Sequence, residues 1–193
     1  MVVSSSNSCL TSDHEVININ KNTTNEFKLR RINQNGQIQI YQSSYRGSYS
    51  SIIRDSLRNA ALGRKVLLVQ LMKGGVKQGI SNAQKLCGNL TWVRTSNSYD
   101  QYESENINTS ISKSINNSIM ELWEFCKKEL LSGEYDQIIL DEIFLALELN
   151  IICKDDLIST LENRFLSGDV ILTGTSIPKK FLLMADQITE LRS

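Results

Sequence analysis

The sequence predicts an α/β fold built on a mostly parallel sheet. Three observations carry this reading: from Gly36 onward short β-rich runs alternate with longer helical patterns, the runs Val66–Val69 and Ile138–Leu140 are apolar on consecutive residues, and glycines follow the helical stretches. Alternation of this kind is the mark of βαβ units, and an unbroken apolar run is what a central strand covered on both faces requires.

In order, residues 1–25 are rich in Ser, Asn and Thr and poor in large apolar side chains, so they are expected to form a disordered polar arm. Residues 26–193 are expected to form one domain, since a chain of 193 residues supports a single substantial core. Strands are expected at Gln37–Tyr41, Lys65–Leu71, Leu90–Val93, Gln137–Leu140, Asp169–Thr173 and Gln187–Leu191. Between the first two strands, Ile52, Ile53, Leu57, Ala60 and Ala61 recur at helical spacing over Ser50–Leu62, and Gly63 supplies the left-handed C-terminal cap. Ile107, Ile111, Ile115 and Ile119 continue through Leu122, Trp123, Cys126 and Leu130 as one long amphipathic helix ended by Gly133. Leu157, Ile158, Leu161 and Phe165 share a face over Asp155–Phe165, and Pro178 stands where a last helix begins, its missing N–H harmless at the first position.

Composition excludes several functions. Lys and Arg total 21 and so do Asp and Glu, leaving no net field to hold a phosphate backbone, so a nucleic-acid partner is not expected. No apolar run reaches the ~18–20 residues of a spanning helix, and the N-terminus lacks a basic region followed by an apolar one. The expectation is a soluble, cytoplasmic protein with no membrane partner. Cys9, Cys87, Cys126 and Cys153 form no close pair and His14 is the only histidine, which removes a zinc site, a disulfide framework and most histidine-based catalysis.

In open α/β sheets ligands bind beyond the carboxyl ends of the strands, so the turns after each strand are the informative segments. The first, Gln42 to Ser51, lies between strand and helix where a phosphate loop belongs. Of the pattern Gly-x-x-x-x-Gly-Lys-[Ser/Thr] only Gly47 and the hydroxyl residues are present, while the helix N-terminus and Arg46 supply positive charge for an anion; the other reading is a plain Ser-rich turn. The second, Gln70 to Gly79, holds Lys73, Gly74, Gly75, Lys77 and Gly79, a cationic loop suited to an anionic ligand or simply solvated. The fourth strand delivers Asp141 and Glu142 at its tip, where carboxylates on a rigid strand can meet Mg²⁺ or polarise water. The fifth ends in Thr173-Gly174-Thr175-Ser176, a small hydroxyl-rich turn that either approaches a ligand or leads into the Pro178 helix.

Taken together, these segments resemble the P-loop corrinoid (cob(I)alamin) adenosyltransferase family over about Ile38 to Arg192. The carriers are Ala61-Leu62-Gly63-Arg64-Lys65-Val66, Val69-Gln70-Leu71-Met72-Lys73-Gly74, Ile138-Ile139-Leu140-Asp141-Glu142, Leu172-Thr173-Gly174 and Leu183 through Arg192. The family's loop Gly-Asn-Gly-Lys-Gly-Lys-Thr-Thr aligns without gaps to Ser43-Ser44-Tyr45-Arg46-Gly47-Ser48-Tyr49-Ser50, so Ser48 stands at the lysine, Tyr49 at the first threonine, and Ser43 and Tyr45 at two glycines. At the family's aromatic pair beside the corrinoid stand Tyr99 and Gln101, and family members usually continue past the position of Ser193 with a segment near the site.

The resemblance implies a P-loop NTPase-like three-layer α/β sandwich with a mostly parallel central sheet. It further implies transfer of adenosyl from ATP to reduced corrinoid cobalt. Its implied catalytic residues are Lys73 and Glu142. The implied ligand-binding residues are Ser43, Ser44, Tyr45, Arg46, Gly47, Ser48, Tyr49, Ser50, Gln70, Gly74, Tyr99, Asp141, Thr173 and Gly174, with Ser50 and Glu142 at Mg²⁺. ATP, Mg²⁺ and a corrinoid are the implied ligands, and a homodimer is the oligomer left open. The replaced loop lysine keeps two other readings alive beside the transferase: a pseudoenzyme of the same fold acting as a binding or regulatory module, and a P-loop-like protein with a different phosphorylated ligand.

Overall fold

A computed structural model describes residues 35–46, 49–75, 77–96 and 109–191, with side chains in the last stretch from residue 113. The expected polar arm, Gly47, Ser48 and Tyr99 lie outside the described residues. Along the described chain run β1 (Ile38–Ser43), α1 (Ser50–Ala61), β2 (Val66–Gly74), a 3₁₀ turn (Ile80–Asn82), β3 (Gln84–Leu86), β4 (Leu90–Thr95), α2 (Thr109–Ser132), β5 (Gln137–Asp141), α3 (Ile143–Glu148), α4 (Lys154–Glu162), β6 (Asp169–Gly174), α5 (Lys179–Met184) and β7 (Gln187–Leu191).

The strands form one sheet in the order β3-β4-β2-β5-β6-β1-β7, parallel throughout except for the β3–β4 pair. The two consecutive apolar runs pair with each other at its centre, Leu67 opposite Ile138 and Val69 opposite Leu140. Alternation along the strands then divides the core. Val66, Leu68, Ile139 and Ile171 face α1, packing on Tyr49, Ile52 and Ala60. Leu67, Val69, Ile138, Leu140, Val170 and Leu172 face the layer made by α2, α3, α4 and α5. The result is the three-layer sandwich expected from the sequence. In α2 the described part of the predicted stripe, Ile115, Ile119, Leu122, Trp123, Cys126 and Leu130, is buried, each large side chain contributing roughly 1.5–3 kcal/mol by leaving water, while Ile107 and the Ile111 side chain lie outside the described residues. Gly63 and Gly133 follow α1 and α2 at φ 97° and 72°, backbone that a side chain would strain.

The differences from expectation cluster at one end of the sheet. β1, β2, β4, β5 and β6 each run one to three residues past the last residue expected of them. Their tips carry Ser43, Gln70, Thr95, Asp141 and Thr173, polar residues that are nonetheless buried. These pair with the protein instead of water, so the strand outlasts its apolar run. Two elements are too short for periodicity to show: α3, six residues, and β3, three residues laid antiparallel on β4 as an edge strand. Pro178 caps α5 rather than opening it. Helix α4 stops at Glu162, and Phe165 turns outward instead of extending its buried face.

Candidate functional site

The polar strand tips are joined into one network. β6 lies between β1 and β5 in the sheet, so the acid-bearing end of β5 is separated from the loop after β1 by a single strand. Asp141 closes β5 and is 2 % exposed. Its Oδ1 accepts from Thr173 Oγ1 at 2.9 Å, and its Oδ2 accepts from Gln70 Nε2 at 2.7 Å and Lys73 Nζ at 3.2 Å. Gln70 sits opposite Asp141 in the parallel register, which is why a side chain as short as its amide can reach. On its other side Gln70 Oε1 accepts from Trp92 Nε1 at 3.1 Å and Arg94 Nε at 2.8 Å, with the Arg94 guanidinium 4.2 Å from the centre of the Trp92 ring. With two donors at its oxygen, the amide of Gln70 has one orientation open to it, its nitrogen on the carboxylate.

Glu142 follows in a left-handed conformation, φ 60° and ψ 28°, which turns the chain out of β5 and into α3. That conformation is uncommon for a residue with a side chain. Its N–H donates to Thr173 Oγ1 at 2.7 Å, so the threonine hydroxyl holds both acids: one by its own proton, the other through its lone pair. The Glu142 side chain, 2 % exposed, meets Arg46 in a two-pronged pair, Nε to Oε1 at 3.0 Å and Nη2 to Oε2 at 3.3 Å. Arg46 Nη2 also donates to the Met72 carbonyl at 3.2 Å, tying the loop after β1 to β2.

Tyr49 is the third buried group here. It is 2 % exposed, it packs in the α1-side core, and its hydroxyl has no hydrogen-bond partner. Burial, then the nearby charges of Asp141 and Glu142, push its pKa up to about 12, so the phenol stays protonated at any ordinary pH. The N–H groups of Ser43 and Gly174 lie near enough to oppose that shift, yet neither meets the oxygen in hydrogen-bonding geometry. Beside this cluster is a cleft of about 340 Å³ lined by Ser44, Arg46, Tyr49, Glu142, Leu145, Glu148, Leu149, Gly174 and Thr175. Gly174, in its wall, lets α3 pack close on β6: a Cβ there would stand 2.5 Å from the Cβ of Phe144 on α3.

The structure brings together Arg46, Tyr49, Gln70, Lys73, Asp141, Glu142 and Thr173, with Ser43 buried at the tip of β1, its Oγ accepting from the Tyr45 N–H at 3.2 Å. Gly74 ends β2 opposite Thr95, past a register shift. It does not bring in the rest alike. Ser44 lines the cleft from an exposed position, and Tyr45 points outward, 63 % exposed. Ser50 is exposed on the first turn of α1 and the hydroxyl lying near the two acids belongs to Tyr49. Sequence reasoning missed Trp92, Arg94 and the α3 residues. The i, i+2 spacing of Trp92 and Arg94 in an alternating strand was the available signal, since it puts both on the face of Gln70. Among the described residues no group of three or more His, Cys, Asp or Glu is placed to hold a metal ion, and no helix is long and apolar enough to cross a membrane.

Comparison with known proteins bears on the same span. The family model described as ATP:corrinoid adenosyltransferase BtuR/CobO/CobP matches residues 34–193. A "Corrinoid adenosyltransferase" of Escherichia coli is 24 % identical over 167 residues, covering 82 % of this chain and 78 % of that protein. "Corrinoid adenosyltransferase CobA" of Salmonella typhimurium is 23 % identical over 159 residues, with the same coverage, 82 % and 78 %. An uncharacterized protein of Nostoc sp. is 27 % identical over 170 residues, 81 % of this chain but 44 % of the relative, so the chain spans under half of that protein's length.

Proposed function

Since this chain belongs to the ATP:corrinoid adenosyltransferase family, we propose that it transfers the adenosyl group of ATP to the reduced cobalt of a corrinoid. The observation that carries the reading is the pair of cations, Arg46 and Lys73, held on Glu142 and Asp141 at the strand tips beside the loop that follows β1. Reduced cobalt is itself the nucleophile: its electron pair forms the Co–C bond at the 5′ carbon of the ribose, the C–O bond breaks, and triphosphate leaves with that bond's electrons. No proton has to be removed, which suits a cluster without histidine or a reactive thiol. Cys126, on α2, is fully buried with its thiol pKa driven up by burial. What the protein supplies is position and neutralisation of the leaving triphosphate, by Arg46, Lys73 and the loop backbone. Gln70 and Thr173 keep the Asp141 carboxylate aimed at Lys73. Tyr99, the aromatic on the corrinoid side, lies outside the described residues. ATP of the cytoplasm is the donor in this reading.

Magnesium at Ser50 and Glu142 does not fit the residues present. Both carboxylate oxygens of Glu142 are engaged by Arg46, and Ser50 is exposed on α1. The test of the function is anaerobic incubation of the full chain with ATP and cobalamin reduced to the Co(I) state, followed by the absorbance change that accompanies Co–C bond formation. Adenosylated product above the protein-free control, lost in Arg46→Ala, supports the reading; its absence at saturating ATP overturns it.

A further inference from the structure

We propose that the cleft takes the polyphosphate of its nucleotide as the free anion, with Arg46 in the cleft wall and Lys73 beside it on the adjacent Asp141 in place of a divalent cation, and Glu142 as an internal competitor for Arg46. This rests on the reading above in taking a nucleotide as the ligand, and goes beyond it in how the charge is met.

The first support is layering. Glu142 and Asp141 are each 2 % exposed, whereas the cations paired with them are 27 % exposed at Arg46 and 34 % at Lys73. In these two pairs the acids lie underneath and the positive ends face outward, so a group reaching them from solvent meets cations first; the exposed Glu148 of the cleft wall stands apart from this layering. That layering is the wrong sign for a divalent metal and the right sign for a phosphate oxygen. The second support is occupancy. The oxygens of Asp141 already accept from Thr173, Gln70 and Lys73, and those of Glu142 from Arg46, so a metal at either buried acid would have to displace an ion pair, which leaves it the exposed Glu148 of the cleft wall as a single carboxylate. Two cations against two carboxylates also leave the cluster neutral without an added ion. The third is the loop hydroxyl. At the aligned position nearest the acids stands a phenol, Tyr49, whose buried hydroxyl is unpartnered and can donate to an anionic oxygen, whereas a neutral phenol is a poor ligand for a hard cation.

The geometry gives Glu142 a sign opposite to that of a metal ligand. An anion entering the cleft shares or captures the Arg46 fork now held by Glu142, so removing the negative charge at position 142 should strengthen binding. In a metal-dependent site the same change weakens it.

The experiment is calorimetric titration of the full chain with ATP, and competition by tripolyphosphate, in EDTA and in excess Mg²⁺. The expected result is saturable binding in EDTA at least as tight as with Mg²⁺, roughly fivefold tighter in Glu142→Gln and about tenfold weaker in Arg46→Ala. The wild-type comparison needs no variant to fold, and a melting curve of each variant checks that it does. Binding seen only with Mg²⁺, binding weakened by Glu142→Gln, or no binding in either condition overturns the proposal. Adenosyl transfer that occurs only with Mg²⁺ would overturn it while leaving the transferase reading standing. Mg²⁺-independent binding with no transfer to Co(I) would do the reverse.

Discussion

Arg46 and Glu142 meet fork to fork, 3.0 and 3.3 Å apart, although one lies on the loop after β1 and the other on the residue after β5, with β6 between those strands in the sheet. The pair therefore ties together two parts of the chain that make no ladder with each other. Arg46→Ala leaves the Glu142 carboxylate buried without its cation. Removing one partner of a buried pair costs several kcal/mol, and the partial exposure of Arg46 brings the expected loss down to about 2 kcal/mol. Urea melts of wild type and variant measure it, and a loss under about 0.5 kcal/mol would show that the pair is not formed in solution.

Gln70 is surrounded by three groups that each need it. Gln70→Leu strips a partner from Trp92 Nε1, Arg94 Nε and Asp141 Oδ2 at once, and buried polar groups left without partners cost about 1–3 kcal/mol each where water cannot replace the bond. Since Trp92 and Arg94 are half-buried and partly rehydrate, a total near 2 kcal/mol is expected. Tryptophan emission should shift as the indole N–H loses its acceptor. Unchanged emission would argue against the Trp92–Gln70 contact.

Tyr49→Phe removes a hydroxyl that has no partner, so stability near neutral pH should hold or rise by about 0.5–1 kcal/mol. At alkaline pH the two proteins should part. A phenol titrating at about 12 in the fold and about 10 in the unfolded chain keeps its proton longer when folded. The unfolded state then binds fewer protons between those values, and wild-type stability falls as pH rises from about 10 to about 12. The difference between wild type and Tyr49→Phe over that window isolates this residue from the lysines that titrate alongside it. A constant difference would mean the phenol is not buried beside the acids.

Gly174→Ala tests the packing of α3 on β6 beside the cleft. The added Cβ would lie 2.5 Å from the Cβ of Phe144, which itself stacks edge-on against Phe181 at 5.3 Å between ring centres. Relief requires α3 to move as a unit, at about 1–3 kcal/mol for an overpacked core. Because α3 begins at the residue after Glu142, nucleotide binding should weaken along with stability. Loss of stability with binding intact would separate the helix from the site.

Much of the scaffold was legible because it rests on apolar pattern alone. Val66 to Val69 and Ile138 to Leu140 announced the sheet centre, and the four-residue beat from Ile115 to Ile119 announced α2. The pattern failed where polar residues are buried by one another. Nothing in the sequence marks Ser43, Thr95 and Asp141 as strand, and although Gln70 and Thr173 fall within expected strands, their burial with Asp141 depends on hydrogen bonds across neighbouring strands that only the register supplies. The same holds for the site. Arg46, Lys73, Asp141 and Glu142 stood out as charges at strand ends, but which cation meets which acid was not readable. The hydroxyl near the acids was expected at Ser50, while the helix start turns Ser50 outward and Tyr49 inward.

The Arg46–Glu142 fork has one more consequence, in entropy. A free arginine gives up as much as ~1.5–2 kcal/mol of rotamer freedom when a ligand immobilises it. Here Glu142 has already fixed the guanidinium in one orientation, and the Met72 carbonyl holds it from a second side. A phosphate that takes over the fork inherits a side chain whose freedom was lost when the chain folded, so the acid that opposes the anion by charge also prepares its receptor by shape.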